Sequence, residues 1–196
     1  MRNAYALLGL VWIIILAAIA WGFHNTSTGH QEERIQIMAT STLRLTSETF
    51  ENGSVIPSRF TCDDRKDLNP PLSFSGVPSE TKSLALIMDD PDVPKVLKPD
   101  GVFDHWVLYN IPPATTGIAE GSSVGVVGTN GAGAAAYTGP CPPKQYEPSQ
   151  HRYVFRLYAL DTLLALSGGA SKQEVLDALR GHILAEAELT GVYKRQ

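Results

Sequence analysis

Three regimes of hydrophobic and polar patterning divide the chain. Residues Ala4 to Phe23 are apolar throughout, apart from glycine and the amphipathic Tyr and Trp rings. As a helix this run extends about 30 Å, the hydrocarbon thickness of a bilayer. It has no polar face, so it does not suit a helix lying on a domain core. Residues 24–42 are polar, rich in Ser, Thr, Gln and Glu, as befits a stalk or linker. From Leu43 onward short apolar runs alternate with Pro and Gly breaks. The expected organisation is a membrane anchor or signal segment over 1–23, a polar linker over 24–42 and one domain over 43–196.

Within that domain the dominant period is two. Leu43-Arg44-Leu45-Thr46 alternates as a first strand, a turn follows at Asn52-Gly53, and Leu72-Ser73-Phe74 alternates again. Ser83–Met88 and Trp106–Ile111 are nearly continuous apolar runs, which predicts strands covered on both faces, and Tyr153–Leu160 is a third. Helix is scarce. Ser171 with Glu174 forms a capping box ahead of Val175, Leu176 and Leu179, ending at Gly181. Beyond it, Ile183, Ala185, Ala187 and Leu189 alternate with Leu184, Glu186, Glu188 and Thr190, which predicts a last strand. A longer helix is the competing reading, since Ala, Glu and Leu favour helix. The predicted fold class is mainly β, an antiparallel β-sandwich with one or two peripheral helices.

The flanking charges orient the N-terminal run. Arg2 precedes it and His24, Glu32 and Glu33 follow, which places the N-terminus in the cytoplasm and the domain outside. Ala18-Ile19-Ala20 offers a small-x-small cleavage site, but cleaved signals carry apolar regions of about 7–15 residues, so the length favours an uncleaved anchor. Cleavage would make the domain secreted or periplasmic. The 196 residues carry a formal charge of -4 with no basic stripe, which argues against a nucleic-acid partner.

The candidate chemistry gathers at strand ends. The run Ser83–Met88 finishes into Asp89-Asp90-Pro91-Asp92, Trp106–Ile111 begins after Asp104-His105, and Tyr153–Leu160 begins after His151. If the first runs antiparallel to the others, Asp90, His105 and His151 share one rim with the stiff loop Gly139-Pro140-Cys141-Pro142-Pro143. Each alone has a plain structural explanation: Asp beside Pro caps turns, and single histidines pack in cores or sit on surfaces. Together they suggest a site. A carboxylate beside imidazoles is expected to favour the cation and so to provide donors for an anion such as phosphate. Backbone N–H groups around Gly139 would add neutral donors.

Other chemistries find little support. No Gly-x-Ser-x-Gly elbow appears, and neither His-Glu-x-x-His nor Cys-x-x-Cys, so neither a serine hydrolase nor a metal site is expected, and no cofactor is implied. Gly128-Thr129-Asn130-Gly131-Ala132-Gly133 imitates a phosphate-binding loop but lacks the Lys-Ser/Thr ending. Cys62 and Cys141 either form a disulfide in an exported domain or remain two buried thiols, with export favouring the bridge.

Ordered blocks of sequence resemble the phosphatidylethanolamine-binding protein family, in its bacterial Raf-kinase-inhibitor-like branch. These are Asp90-Pro91-Asp92-Val93-Pro94, His105-Trp106, Gly139-Pro140-Cys141-Pro142-Pro143 and His151-Arg152-Tyr153, with Phe60-Thr61-Cys62-Asp63 and Gly181–Leu189 in support. The resemblance spans Leu43 to Arg195 and implies an antiparallel sandwich with a small pocket for phosphate-like head groups. Carried across by motif, the ligand-binding residues are Asp90, Pro94, His105, Cys141, Pro142, His151 and Tyr153; Gly139 joins them from the loop reading. The implied partner is a small phosphate-bearing ligand or phospholipid head group, bound without catalysis, with the membrane contacted through the N-terminal helix. A protein inhibitor of a protease or kinase, acting through loops around the pocket, is the first alternative. An acid–base enzyme using His105 or His151 with Asp90 is the second.

Overall fold

The computed structural model describes residues Thr42–Gln196. The expected anchor over 1–23 and nearly all of the linker over 24–42 lie outside the described residues. Among the described residues no helix is long and apolar enough to cross a membrane.

Among the described residues eight strands form two antiparallel sheets. β1 (Arg44–Thr46), β2 (Leu72–Ser75) and β5 (Gly117–Ile118) make a small sheet in the order β1-β2-β5. β3 (Ser83–Asp90), β4 (Phe103–Ile111), β6 (Val126–Val127), β7 (Gln150–Leu160) and β8 (Ile183–Lys194) make a larger one in the order β6-β4-β3-β7-β8. β3 is central in that sheet, and all of its residues are buried, as a continuous apolar run predicts. The sandwich core lies between the sheets, with Leu45 and Phe74 from one meeting Leu84, Leu86, Trp106, Phe155 and Leu157 from the other.

The outer face of the large sheet packs Ala85, Ile87, Val107 and Tyr158 beneath an α-helix, α1 (Lys172–Ala178), through Val175 and the C-cap Leu179. The capping box that starts α1 is complete: Ser171 accepts from the Glu174 N–H, and Glu174 accepts from the Ser171 N–H. The competing longer helix does not form. After Gly181, at φ +80°, the chain turns into β8, whose alternating face packs Ala185 and Leu189 inward.

β3, β4 and β7 each run further than their apolar cores suggest. The strands continue through Asp89 and Asp90 on β3, Phe103 to His105 on β4 and Gln150 to Arg152 on β7. Backbone pairing at Asp89, Asp90, Asp104 and His151 does not depend on the side chain, so Asp90, His105 and His151 are strand residues rather than loop residues.

Candidate functional site

β3 pairs antiparallel with both β4 and β7, so its C-terminal end and their N-terminal ends share one rim. There Asp90, His105 and His151 line a single cavity of about 190 Å³, together with Val93, Phe103, Thr138, Gly139, Cys141 and Pro143. That is smaller than the roughly 300–1,000 Å³ of drug-sized pockets. Only a compact group fits inside.

Asp90 and His151 form the buried centre. His151 Nδ1 lies 2.7 Å from Asp90 Oδ2, and both side chains are almost wholly withdrawn from solvent. A carboxylate only accepts, so Nδ1 carries the proton and Nε2 is the remaining polar atom. Nε2 is buried and makes no hydrogen bond. The other carboxylate oxygen, Asp90 Oδ1, accepts the Asp92 N–H at 2.9 Å. Asp92 in turn accepts from the backbone N–H and the guanidinium of Arg152, which pins the turn after β3 to the start of β7. Those bonds hold the Asp92 carboxyl below its ordinary range.

His105 arrives by a different device. Across β3 and β4, Met88 faces Trp106 and Asp89 faces Asp104, so His105 is the extra residue of a β-bulge. Its freed carbonyl accepts the Thr138 N–H at 3.0 Å, and its ring Nδ1 donates to the Thr138 carbonyl at 2.6 Å. The rings of Phe103 and Tyr153 meet it edge-on at 4.8 and 5.2 Å. Burial holds His105 below the ordinary histidine range, and the Thr138 carbonyl and the Asp90 charge oppose this without reversing it. The expected cation is therefore disfavoured at His105, because desolvation outweighs the neighbouring carboxylate.

The loop on the far side is bound to a second loop rather than merely stiffened by proline. Cys62 and Cys141 form a disulfide with Cα atoms 5.3 Å apart. Beside it Cys62 N–H donates to Pro140 O at 3.0 Å, Gly139 N–H to Lys66 O at 2.6 Å, and Tyr137 O–H to Phe60 O at 3.1 Å. A Cβ on Gly139 would lie 2.3 Å from the Phe60 carbonyl oxygen, so glycine is required here for close approach rather than for an unusual φ. The neutral donors expected of this loop are occupied at two positions, since Thr138 N–H bonds His105 O and Gly139 N–H bonds Lys66 O.

Of the residues singled out from sequence, Asp90, His105, Gly139, Cys141 and His151 line the cavity, whereas Pro94, Pro142 and Tyr153 are not among its lining residues. Tyr153 is buried, and its hydroxyl has no hydrogen-bond partner. Burial, then the Asp90 charge, raises its pKa, which keeps the phenol neutral. Pro143 also lines the cavity, as part of the proline loop expected at the rim, whereas Val93, Phe103 and Thr138 line it without having been anticipated. Phe103 was within reach of a period-two reading, but the bulge at His105 breaks that period. The glycine-rich stretch is built around Asn130, whose Oδ1 accepts from Ala132 and Ala134 N–H while Gly131 N–H bonds Asp104 O, so those donors serve the fold. Among the described residues no cluster of His, Cys, Asp and Glu is placed to hold a metal ion.

Comparison with known proteins identifies relatives of this chain. The family model described as phosphatidylethanolamine-binding protein matches residues 46–194. A UPF0098 protein of Methanothermobacter thermautotrophicus is 49% identical over 160 residues, covering 78% of this chain and 99% of that protein. One from Chlamydia muridarum is 46% identical over 154 residues, with coverage of 78% and 99%. Among solved structures, the putative phosphatidylethanolamine-binding protein homologue CT736 of Chlamydia trachomatis superposes with a TM-score of 0.75 at 44% identity, over 80% of this chain and 99% of that one. YbcL of E. coli, described as a new member of the mammalian PEBP family, gives 0.69 at 30% identity, over 79% and 99%.

Proposed function

The chain belongs to the phosphatidylethanolamine-binding protein family, and from that premise we propose that it is a non-enzymatic binder of small phosphate-bearing molecules or phospholipid head groups. The observation that carries this reading is His151 Nε2, a buried polar atom without a partner on a ring that lines the cavity. Asp90 holds the opposite nitrogen at 2.7 Å, which leaves Nε2 as the ring atom able to meet a phosphate oxygen or hydroxyl. The cavity of about 190 Å³ suits a phosphate-sized group. With the apolar run Ala4 to Phe23 as an anchor, the pocket would work outside the cytoplasm and close to a membrane.

The test is an NMR titration of the imidazole resonances with inorganic phosphate and with phosphoethanolamine. Saturable shifts at His151 and His105 are expected, and their loss in His151→Ala. Flat titrations of the wild type with both anions would overturn the reading. Turnover of a phosphate ester that disappears with His151→Ala would replace binding by catalysis.

A further inference from the structure

Directly behind the pocket, on the opposite face of the large sheet, five side chains of alternating charge form a row. Glu188 Oε2 lies 3.3 Å from Arg156 Nε, and Arg156 Nη1 lies 3.2 Å from Asp89 Oδ2. Lys172 Nζ, at the start of α1, is 3.0 Å from Asp89 Oδ1 and 2.5 Å from Asp104 Oδ1. The strand period explains the arrangement. Asp89 and Asp90 are neighbours on β3 and face opposite ways, one to Lys172 and the other to His151. Asp104 and His105 divide in the same manner on β4, to Lys172 and to Thr138.

Asp89 and Asp104 are also direct cross-strand partners. Two like charges facing each other across a ladder push the strands apart. Here Lys172, with a side chain only 16% exposed, bonds both. This junction is also the place where the ladder slips by one residue and His105 is bulged toward the cavity. Burial raises the Asp89 carboxyl, and Lys172 is the main charge opposing that rise.

We propose that Lys172 is a positioning residue for the pocket: by clamping Asp89 to Asp104 it fixes the ends of β3 and β4, and with them Asp90 and the bulged His105. The proposal rests on the pocket reading for its effect on affinity, but its geometric half stands without a ligand. Removing the ammonium leaves two partly buried carboxylates opposed across the ladder. The strand ends then relax, and the Asp90–His105 spacing changes without any pocket side chain being altered.

The experiment compares Lys172→Met, Lys172→Arg and Val175→Ala in NMR spectra of the imidazoles, first free and then titrated with inorganic phosphate. Val175 is the buried residue of α1 that packs onto the sheet and belongs to no ion pair in the row, so its truncation destabilises the helix packing without touching the clamp. Lys172→Met is expected to move the ligand-free His105 resonances and to weaken phosphate by about 3–30-fold, the range typical of coupling through packed networks. Lys172→Arg should stay within about threefold of wild type because its cation can still bridge both carboxylates. Val175→Ala should lose stability with His105 and affinity unmoved. If Lys172→Met does not fold, Lys172→Gln keeps a neutral donor to one carboxylate and should shift His105 in the same direction by less. His105 resonances in Lys172→Met, or in that substitute variant, identical to those of Val175→Ala overturn the proposal. If the wild type binds no phosphate, the pocket reading fails, while the ligand-free His105 spectra still decide the positioning role.

Discussion

His105 and Thr138 are bonded twice, through His105 Nδ1–H to Thr138 O at 2.6 Å and through Thr138 N–H to His105 O at 3.0 Å. The second bond is available because the bulge releases the His105 carbonyl from the ladder. The pair fixes the ring's orientation and tautomer in one step, and it keeps the imidazole buried.

A pH dependence of stability follows. The folded-state pKa of His105 is depressed, burial being the main cause, against an ordinary value of 6.5. In the window just below that value the unfolded chain binds more protons than the folded one, so stability rises with pH and is lost as pH falls. His105→Asn keeps a donor toward Thr138 O and does not titrate. Urea unfolding at pH 7 and pH 5 should show a smaller acid loss in His105→Asn than in wild type. Equal losses in the two proteins would remove His105 as the cause.

The disulfide between Cys62 and Cys141 closes a separation of 79 residues. Replacing both cysteines by serine should cost about 2–4 kcal/mol in denaturant unfolding. Phosphate affinity should fall as well, since Cys141 lines the cavity. The three hydrogen bonds beside the bridge should keep the loop near its place. Complete loss of folding under reducing conditions would show those bonds to be insufficient.

Gly139→Ala isolates the close approach between the same loops. Its new methyl would meet the Phe60 carbonyl oxygen at 2.3 Å, and backbone at both sides leaves no flexible group to yield. The expected cost is about 1–3 kcal/mol, as for overpacking of a well-filled interior. Gly133→Ala is a useful contrast, because nothing lies within 4 Å of a Cβ there and the strain is only that of its φ of +80°. Equal destabilisation of the two would mean that the loop contact is not tight.

Much of this architecture was legible in the sequence because long apolar runs determine central strands. Ser83–Met88, Trp106–Ile111 and Tyr153–Leu160 lie within β3, β4 and β7, and their antiparallel polarity alone brought Asp90, His105 and His151 to one rim. The strand ends were less visible, since Asp89, Asp90 and Asp104 ladder through their backbone while their side chains read as loop. The two-residue strands β5 and β6 have no period to detect. The bulge at His105 depends on the pairing partner, not on local composition. Thr138 and Lys172 carried no signal either, because each acts through a residue distant in the chain, as Lys172 does on Asp89.

Asp90→Asn offers the sharpest check on the centre of the pocket. Asp90 Oδ1 accepts the Asp92 N–H at 2.9 Å, which fixes the amide oxygen of an asparagine at that position. The amide NH2 then faces His151 Nδ1, where a carboxylate oxygen now accepts at 2.7 Å. Two donors cannot share that contact, so His151 must move its proton from Nδ1 to Nε2. Long-range 1H–15N spectra distinguish the tautomers directly, with Nδ1–H expected in the neutral wild-type ring and Nε2–H in the variant. Exchanging a buried hydrogen bond to a charged acceptor for one between neutral groups should also cost about 1 kcal/mol in unfolding. A variant that keeps the Nδ1–H tautomer would show that Asp90 does not set the state of His151, and the buried Nε2 could no longer be traced to that carboxylate.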